Sequence, residues 1–324
     1  MTHPILRALG LLALAAHVCG AQQADPHETL AASLRADVTV LAQDIGPRHV
    51  HRDDSLARAE RWIAEQFAAA GYVVARETYD ARGDEVANLV AAVPGVAGGA
   101  RAQEIIVIGA HYDTVLTTPG ADDNASGVAA LLALARGFAS AKPARTVRFV
   151  AFAQEEPIYF QTQWMGSRVY ARGCKERGET IVAMLSLETL GYYSNEKGSQ
   201  QYPPVVGWFY PSRGNFVAFV GNRGSKRLVR SAIQSFRTRS DFPAEAAALP
   251  AQLPGIGWSD HWSFWQEDFQ AIMVTDTAPF RNPHYHRGSD TVETLDYTRL
   301  ARVVDGLRGV LADLADPRDK AKEK

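Results

Sequence analysis

The stretch EIIVIGAHYDTVLTTPGADDNASGVAALLALAR, residues 104–136, determines the fold that we expect for this chain. It opens with an apolar, β-branched run at 105–108, which is typical of a buried central strand. Polar residues then precede an Ala/Leu-rich helix that begins near Ser126, namely His111, Asp113, Asp122, Asp123 and Asn124. Sites in open α/β sheets lie at the carboxyl ends of strands. Histidine and carboxylates in that place indicate a cation site, and a solvated loop with a helix cap is the plainer alternative.

The composition is that of an ordinary globular protein. The chain has 324 residues, of which 46% are hydrophobic and 22% charged, and its formal net charge is −2. Because basic and acidic residues nearly balance, nothing indicates a polyanionic partner such as nucleic acid. The length accommodates one large α/β domain or two ordinary ones, and no linker divides the chain. We therefore expect a single domain over residues 22–324.

The first 21 residues, MTHPILRALGLLALAAHVCGA, have the pattern of a secretory signal peptide. One arginine precedes an apolar segment that is too short to span a membrane, and small residues follow it. Cleavage after Ala21 fits best, since Cys19 and Ala21 occupy the small-residue positions. The sequence thus predicts a secreted or periplasmic protein with no membrane span in the mature chain. An ordinary N-terminal helix is the alternative.

Strands and helices alternate through the middle of the chain, which predicts βαβ units on a largely parallel sheet. The predicted strands span 72–79, 86–93, 104–114, 146–156, 180–191, 215–222 and 271–277. The predicted helices span 27–43, 53–70, 126–140, 166–177, 226–240 and 297–314. Loops are predicted at 192–214, which is long enough to indicate either a functional or a disordered loop, and at 241–258. The expected fold class is α/β, with a central mixed, mostly parallel β-sheet flanked by helices.

Residues that bind metals or transfer protons occur at the ends of four predicted strands. They are His111 and Asp113, Glu155 and Glu156, Glu188, and His284 and His286. Each group alone has a structural explanation, such as a satisfied loop histidine or a pair of solvated carboxylates. Glu188, however, lies in an otherwise apolar strand, where a carboxylate is costly unless it is paired or metal-bound. Their joint occurrence at strand ends therefore predicts a metal site.

The order of these motifs resembles that of the M28 family, the co-catalytic zinc aminopeptidases of the bacterial leucyl-aminopeptidase type. The shared motifs are H-x-D at 111–113, GADDNASG at 120–127, a Glu pair at 155–156, an acidic strand end at 188, and YHRGSDT at 285–291. The likeness covers roughly residues 86–310. It implies a zinc-exopeptidase-like fold with two zinc ions. It also implies hydrolysis of the N-terminal bond of a peptide or aminoacyl amide by a hydroxide that bridges the metals.

Matched by position, the resemblance implies five metal ligands, namely His111, Asp123, Glu156, Glu188 and His286. Asp123 would bridge both ions. His111 and Glu188 would complete one site, and Glu156 and His286 would complete the other. A bridging carboxylate and neutral imidazoles are ligand types that two closely spaced zinc ions need.

Three further roles follow from the resemblance. Glu155 would be the general base, which takes a proton from water and returns it to the leaving amine. Asp113 would lie behind His111 and fix its tautomer and orientation. Tyr285 would help to hold the tetrahedral intermediate.

Two features depart from the usual family pattern. Glu188 stands where the family usually has Asp, and its extra methylene shifts either the metal or the strand. The segment PIYFQTQW, residues 157–164, lengthens the chain after the Glu pair. Together with the aromatic residues at 208–210, we expect it to reshape the rim of the pocket.

Two nearby motifs leave alternatives open. His284 is a rival of His286 as a ligand, although the spacing to Asp290 and Thr291 favours His286. Asp260 and His261 belong to an SDH motif that also occurs in the family, and we interpret them as structural or close to substrate rather than as ligands.

The leading hypothesis is thus an extracytoplasmic zinc metallopeptidase, with an aminopeptidase as its specific form. A glutaminyl-cyclase-like acyltransferase shares the fold but works with one zinc, so the complete ligand set argues against it. A catalytically inactive binding ectodomain is the third hypothesis. Because such relatives have lost ligands or the base, the presence of Glu155 and of all five ligand positions argues against this hypothesis too.

Overall fold

The computed structural model describes residues 26–204 and 206–317, and the signal peptide predicted at 1–21 lies outside that part of the chain. Its centre is one eight-stranded sheet with the spatial order β1-β2-β4-β3-β5-β8-β6-β7. The strands are β1 (Val74–Ala81), β2 (Asp84–Val93), β3 (Glu104–His111), β4 (Thr146–Phe152), β5 (Thr180–Glu188), β6 (Val217–Gly221), β7 (Ala244–Ala248) and β8 (Ala271–Thr275). The predicted α/β fold class is confirmed.

The sheet is mixed but mostly parallel. Strands β4, β3, β5 and β8 run parallel to one another, as do β6 and β7. The pairs β1–β2, β2–β4 and β6–β8 are antiparallel. Strand β3 lies in the middle of the parallel part, and its residues from Ile105 to His111 are all buried. This two-sided burial explains its continuous apolar run, since helices or loops cover both faces of a parallel sheet.

Helices cover the two faces of the sheet unequally. They are α1 (Pro26–Val38), α2 (Ser55–Ala69), α3 (Ala100–Gln103), α4 (Gly127–Phe138), α5 (Gly166–Glu176), α6 (Lys226–Arg239), α7 (His261–Trp265) and α8 (Tyr297–Ala315). Helices α1, α2, α4, α6 and α8 enclose the larger core on one face. On the opposite face, α5 and α7 cover the adjacent strands β2, β4, β3, β5 and β8. Irregular segments cover β6 and β7 on that face.

Helix α4 shows how the opening stretch of sequence directs this packing. Its residues from Gly127 to Ala135 are all buried, because α4 lies between the sheet and helices α1 and α8. A helix that is apolar on every side is stable only in such a position. The helix therefore fixes the loop before it, which contains Asp122 and Asp123, against the carboxyl ends of the central strands.

One predicted loop is wrong in part, because strand β7 lies within the segment 241–258. The strand sequence is AEAAA, and it pairs in parallel with β6 at the edge of the sheet. Alanine has low β-propensity, so the sequence gives little sign of this strand, and its pairing with β6 decides the structure. The predicted strands at 146–156 and 180–191 end earlier, at Phe152 and Glu188.

Over residues 26–204 and 206–317, no helix has the length and apolar character that crossing a membrane requires.

Candidate active site

The candidate ligands come together because four parallel strands end at one edge of the sheet. His111 is the last residue of β3, and Glu188 is the last residue of β5. Glu156 follows β4, Asp123 follows β3 in the loop before α4, and His286 follows β8. Since β4, β3, β5 and β8 are neighbours and run the same way, their carboxyl ends meet at this edge.

Asp123 lies between the two histidines. Its Oδ1 atom is 3.3 Å from Nε2 of His111, and its Oδ2 atom is 3.1 Å from Nε2 of His286. The carboxylate therefore directs one oxygen towards each imidazole, which is the arrangement that a bridging ligand needs.

A second carboxylate faces each histidine. Oε2 of Glu188 is 3.2 Å from Nε2 of His111, and Oε2 of Glu156 is 3.3 Å from Nε2 of His286. The side chains thus form two donor groups that share Asp123. His111 of the inner group exposes 1% of its side chain, whereas His286 of the outer group exposes 33% and lies nearer to solvent.

Several of these donor atoms lack hydrogen-bond partners, which favours a cation site. Nε2 of both histidines, Oδ1 of Asp123 and Oε1 of Glu156 are buried, yet the described part of the chain gives them no hydrogen-bond partner. Buried polar atoms are normally satisfied, so these unpaired atoms need an explanation. His111, Asp123 and Glu156 offer atoms close enough to hold one ion together. A bound cation would supply the partner that these atoms lack.

The electrostatics of the cluster also favour cations. Burial alone would lower the pKa of His286, but its contacts with Asp123 and Glu156 raise it to about 10. Burial alone would raise the pKa of Asp123, but the two histidines hold it well below its usual range. The carboxylates thus stabilise positive charge on both sides of Asp123. Zinc ligation needs neutral imidazoles, so binding would displace these protons.

Glu155 and Glu156 lie beyond the end of β4, in a turn that buries both side chains. Asp113 fixes this turn, because its carboxylate accepts hydrogen bonds of 3.0 Å from the backbone N–H groups of both glutamates. Its Oδ1 atom also lies 3.5 Å from Nδ1 of His111. Asp113 therefore contacts the predicted ligand as expected and, in addition, sets the backbone that carries the predicted base.

The environment of Glu155 suits a group that exchanges protons. Burial raises the pKa of its carboxyl well above the usual range, and Glu156 and Glu188 add to this shift while His111 opposes it. A carboxyl with a raised pKa can both take and return a proton near neutral pH.

Further carboxylates, which we did not predict as site residues, hold the Asp123 loop. The carboxylate of Asp290 accepts hydrogen bonds from the backbone N–H groups of Asp122 and Asp123, at 2.9 and 3.1 Å. Oδ1 of Asp122 in turn accepts from the N–H group of Gly191, which follows β5. The Asp-Thr pair at 290–291 was visible in the sequence, but its partners depend on the tertiary fold.

Two more side chains position the inner and outer groups. Ser259 donates a hydrogen bond of 2.7 Å to Oε2 of Glu188. The ring of Tyr285 stacks on His286, with ring centroids 3.9 Å apart. Burial raises the pKa of Tyr285 well above its usual range, and the neighbouring carboxylates, Asp123 first, reinforce the shift, so the phenol stays protonated as a donor.

The structure distinguishes His284 from His286 as candidate ligands and shows the surroundings of the SDH motif. His284 contacts Oγ of Ser289 and the ring of Tyr192, whereas His286 faces Asp123. In the SDH motif, Nε2 of His261 lies 2.7 Å from the carbonyl oxygen of Ile256. His286 therefore faces the cluster whereas His284 does not, and His261 is hydrogen-bonded to the backbone.

Arg48, which precedes α2, is the largest fully buried side chain that supports the site. Its guanidinium donates hydrogen bonds to the carbonyl oxygens of Leu41, Gly46, Tyr112, Pro119 and Gly120. It thereby links the end of β3 to the loop before Asp123. Burial lowers its pKa to about 10, against the opposing effect of Asp290, Asp113 and Asp123, so it remains a cation near neutral pH.

A pocket opens beside Glu188 and Tyr285. The long segment 192–214 supplies Tyr202 and Tyr210 to its wall. Among the described residues, those at 157–164 do not line this pocket, and Trp208 and Phe209 expose 81% and 78% of their surface. The expected effect of the aromatic residues on the pocket is thus limited to Tyr210.

Comparisons with known proteins agree with this geometry. The family described as Peptidase family M28 matches residues 88–311. The chain is similar to the Escherichia coli (strain K12) protein described as "Uncharacterized protein YfbL", with 39% identity covering 87% of this chain and 88% of that protein. It is also similar to "Probable leucine aminopeptidase 1" of Trichophyton verrucosum, with 26% identity covering 82% and 69%.

Solved structures share the fold at lower identity. BSAP, a zinc aminopeptidase from Bacillus subtilis, has a TM-score of 0.70 at 15% identity, covering 90% of this chain and 97% of that chain. Bacteroides thetaiotaomicron glutaminyl cyclase has a TM-score of 0.65 at 17% identity, covering 87% and 97%. Since the family match spans more than half of the sequence and includes every candidate ligand, the chain belongs to peptidase family M28.

Proposed function

We propose that this protein is an exported, zinc-dependent aminopeptidase that hydrolyses the N-terminal peptide bond of its substrate with two zinc ions. The observation that carries the proposal is the position of Asp123, whose two carboxylate oxygens each face a different histidine. Glu188 and Glu156 complete the two donor groups. Besides His111, Asp123 and Glu156, which could hold one ion, His286 and Glu188 also face this cluster, and these extra ligands support a second ion.

Each part of the site has a role in this reaction. Bound zinc would lower the pKa of a water molecule and polarise the scissile carbonyl. Glu155 accepts the proton of the attacking water and returns it to the leaving amine. Asp113 holds the backbone of Glu155 through the 3.0 Å hydrogen bond, so the base keeps its position during both transfers. Tyr285 would help to hold the tetrahedral intermediate by donating a hydrogen bond to its oxyanion, a role that its stacking on His286 beside the proposed metal site supports.

The proposal of export rests on the N-terminal sequence. Residues 1–21 carry the charge, the apolar segment and the small residues of a signal peptide, with cleavage after Ala21. The described fold begins at residue 26, so removal of the first 21 residues would leave all of its elements intact.

The activity can be tested with matched aminoacyl anilides that carry either a free or an acetylated amine. We expect hydrolysis of the free-amine compounds, its loss on treatment with a chelator, and its recovery when zinc is added. Equal hydrolysis of acetylated compounds would contradict an aminopeptidase. The glutaminyl-cyclase alternative predicts instead that peptides with N-terminal Gln are converted to pyroglutamyl peptides without release of an amino acid, which mass spectrometry distinguishes. Absence of both reactions would favour the binding ectodomain.

A further inference from the structure

The pocket beside Glu188 has a floor that the sheet itself defines. In the strand register, Glu188 of β5 is opposite Thr275 of β8, Thr275 is opposite Ala218 of β6, and Ala218 is opposite Glu245 of β7. Residues opposite one another point to the same face, so these four side chains form one row across the pocket. The row begins at a candidate metal ligand and ends at a second carboxylate.

The two inner members of this row are small, so the row forms a channel between its two carboxylates. Three strand spacings of about 4.8 Å separate the backbones of Glu188 and Glu245 by about 14 Å. The next row, formed by Met273 and Val220, makes one side of the channel apolar. An aliphatic chain therefore fits along the floor.

The far end of the pocket combines aromatic rings with negative charge. Tyr202 and Tyr210 stack with ring centroids 5.9 Å apart. Both tyrosines line the pocket together with Glu245, and the hydroxyl of Tyr210 donates a hydrogen bond of 3.0 Å to the carbonyl oxygen of Ala246, the residue after Glu245. Burial raises the pKa of both phenols, with Arg281 opposing the shift at Tyr202 and Glu245 adding to both shifts. Among the described lining residues, the charged ones are the two carboxylates, Glu188 and Glu245. Aromatic faces and a carboxylate together attract a cation.

We propose that this pocket receives the side chain of the substrate's N-terminal residue and that Glu245 selects a long, unbranched side chain with a positive tip, lysine or arginine. This inference rests on the proposed aminopeptidase function. A lysine side chain spans about 6 Å from Cα to its ammonium group. If the substrate Cα lies above Thr275, next to the metal centre, such a side chain extends over Ala218 and directs its ammonium group towards the carboxylate of Glu245.

Arg237 of α6 is the basic residue that competes for Glu245. Its Nη2 atom lies 3.9 Å from Oε2 of Glu245, and the two side chains are 56% and 31% exposed. At this distance and exposure the pair contributes little free energy. The weak pair therefore leaves the carboxylate of Glu245 available to a substrate ammonium.

The test compares lysyl and norleucyl p-nitroanilides, which have unbranched side chains of similar length and differ in the terminal charge. We expect wild type to favour the lysyl compound by about three- to ten-fold in kcat/KM. In Glu245→Gln this ratio falls to about one. The matched control Glu196→Gln removes an exposed carboxylate from the 192–214 segment and keeps the wild-type ratio. A norleucyl preference in wild type, or an unchanged ratio in Glu245→Gln, would overturn the inference.

A binding measurement separates this inference from the proposed reaction. If no free-amine anilide is cleaved, the aminopeptidase proposal fails, but the pocket can still be tested by calorimetry with lysinamide and norleucinamide. Tighter binding of lysinamide to wild type, lost in Glu245→Gln, supports the pocket whatever the reaction. Equal affinity for the two amides, or a preference that survives in Glu245→Gln, contradicts it.

Discussion

Replacing Glu155 by Gln is expected to lower kcat by about 10²- to 10⁴-fold, the usual contribution of a general base. The amide has nearly the same shape as the carboxylate but cannot accept a proton from water. The backbone N–H of Glu155 still donates to Asp113, so the turn that carries Glu156 keeps its geometry. Steady-state kinetics with the free-amine anilides measures the loss.

Metal content is the control for this variant. We expect Glu155→Gln to bind as much zinc as wild type, because Glu155 is not one of the five proposed ligands. If the variant retained more than about a tenth of the wild-type kcat, another group would have to act as the base. If it lost zinc, the loss of activity would report on ligation rather than on proton transfer.

Replacing Arg48 by Met is expected to lower the free energy of unfolding by about 3–5 kcal/mol. The guanidinium is fully buried and donates to five carbonyl oxygens, which would lose this donor. The variant also removes the cation that lies near Asp290, Asp113 and Asp123. Urea unfolding followed by circular dichroism gives the difference.

Two further variants separate position, charge and geometry at residue 48. Arg52→Met changes an exposed arginine four residues away, and we expect an effect within about 0.5 kcal/mol. Arg48→Lys keeps the charge but has fewer hydrogen-bond donors and lacks the planar arrangement of the guanidinium donors. It should therefore recover only part of the lost stability. If Arg48→Met were as stable as wild type, the hydrogen bonds of Arg48 would not hold the loop before Asp123.

The sequence was informative where one local pattern implies a tertiary position. The apolar runs of β3 and β5 indicated that His111 and Glu188 lie near the carboxyl ends of buried strands, and parallel strands bring such ends together. The pairing of each ligand with a particular metal site came from the family resemblance. The structure adds that the two oxygens of Asp123 face different histidines.

Other features depend on contacts between distant residues and left no clear pattern in the sequence. The hydrogen bonds of Arg48 reach carbonyl groups up to 72 residues away, and nothing in its neighbourhood marks it as buried. Strand β7 is alanine-rich and exists because β6 offers an open edge. Because the sequence does not predict this strand, it indicates that Glu245 is a solvated loop residue. The pocket that it closes was therefore beyond prediction.

The central claim is that Asp123 joins two zinc sites in one chain, and a zinc titration of the chelator-treated protein tests it most directly. Isothermal titration calorimetry, checked by elemental analysis, should show two zinc ions per chain in wild type. Asp123→Ala should lose high-affinity binding at both positions, because each position would lose a shared ligand. One ion per wild-type chain, or two ions retained by Asp123→Ala, would contradict the account.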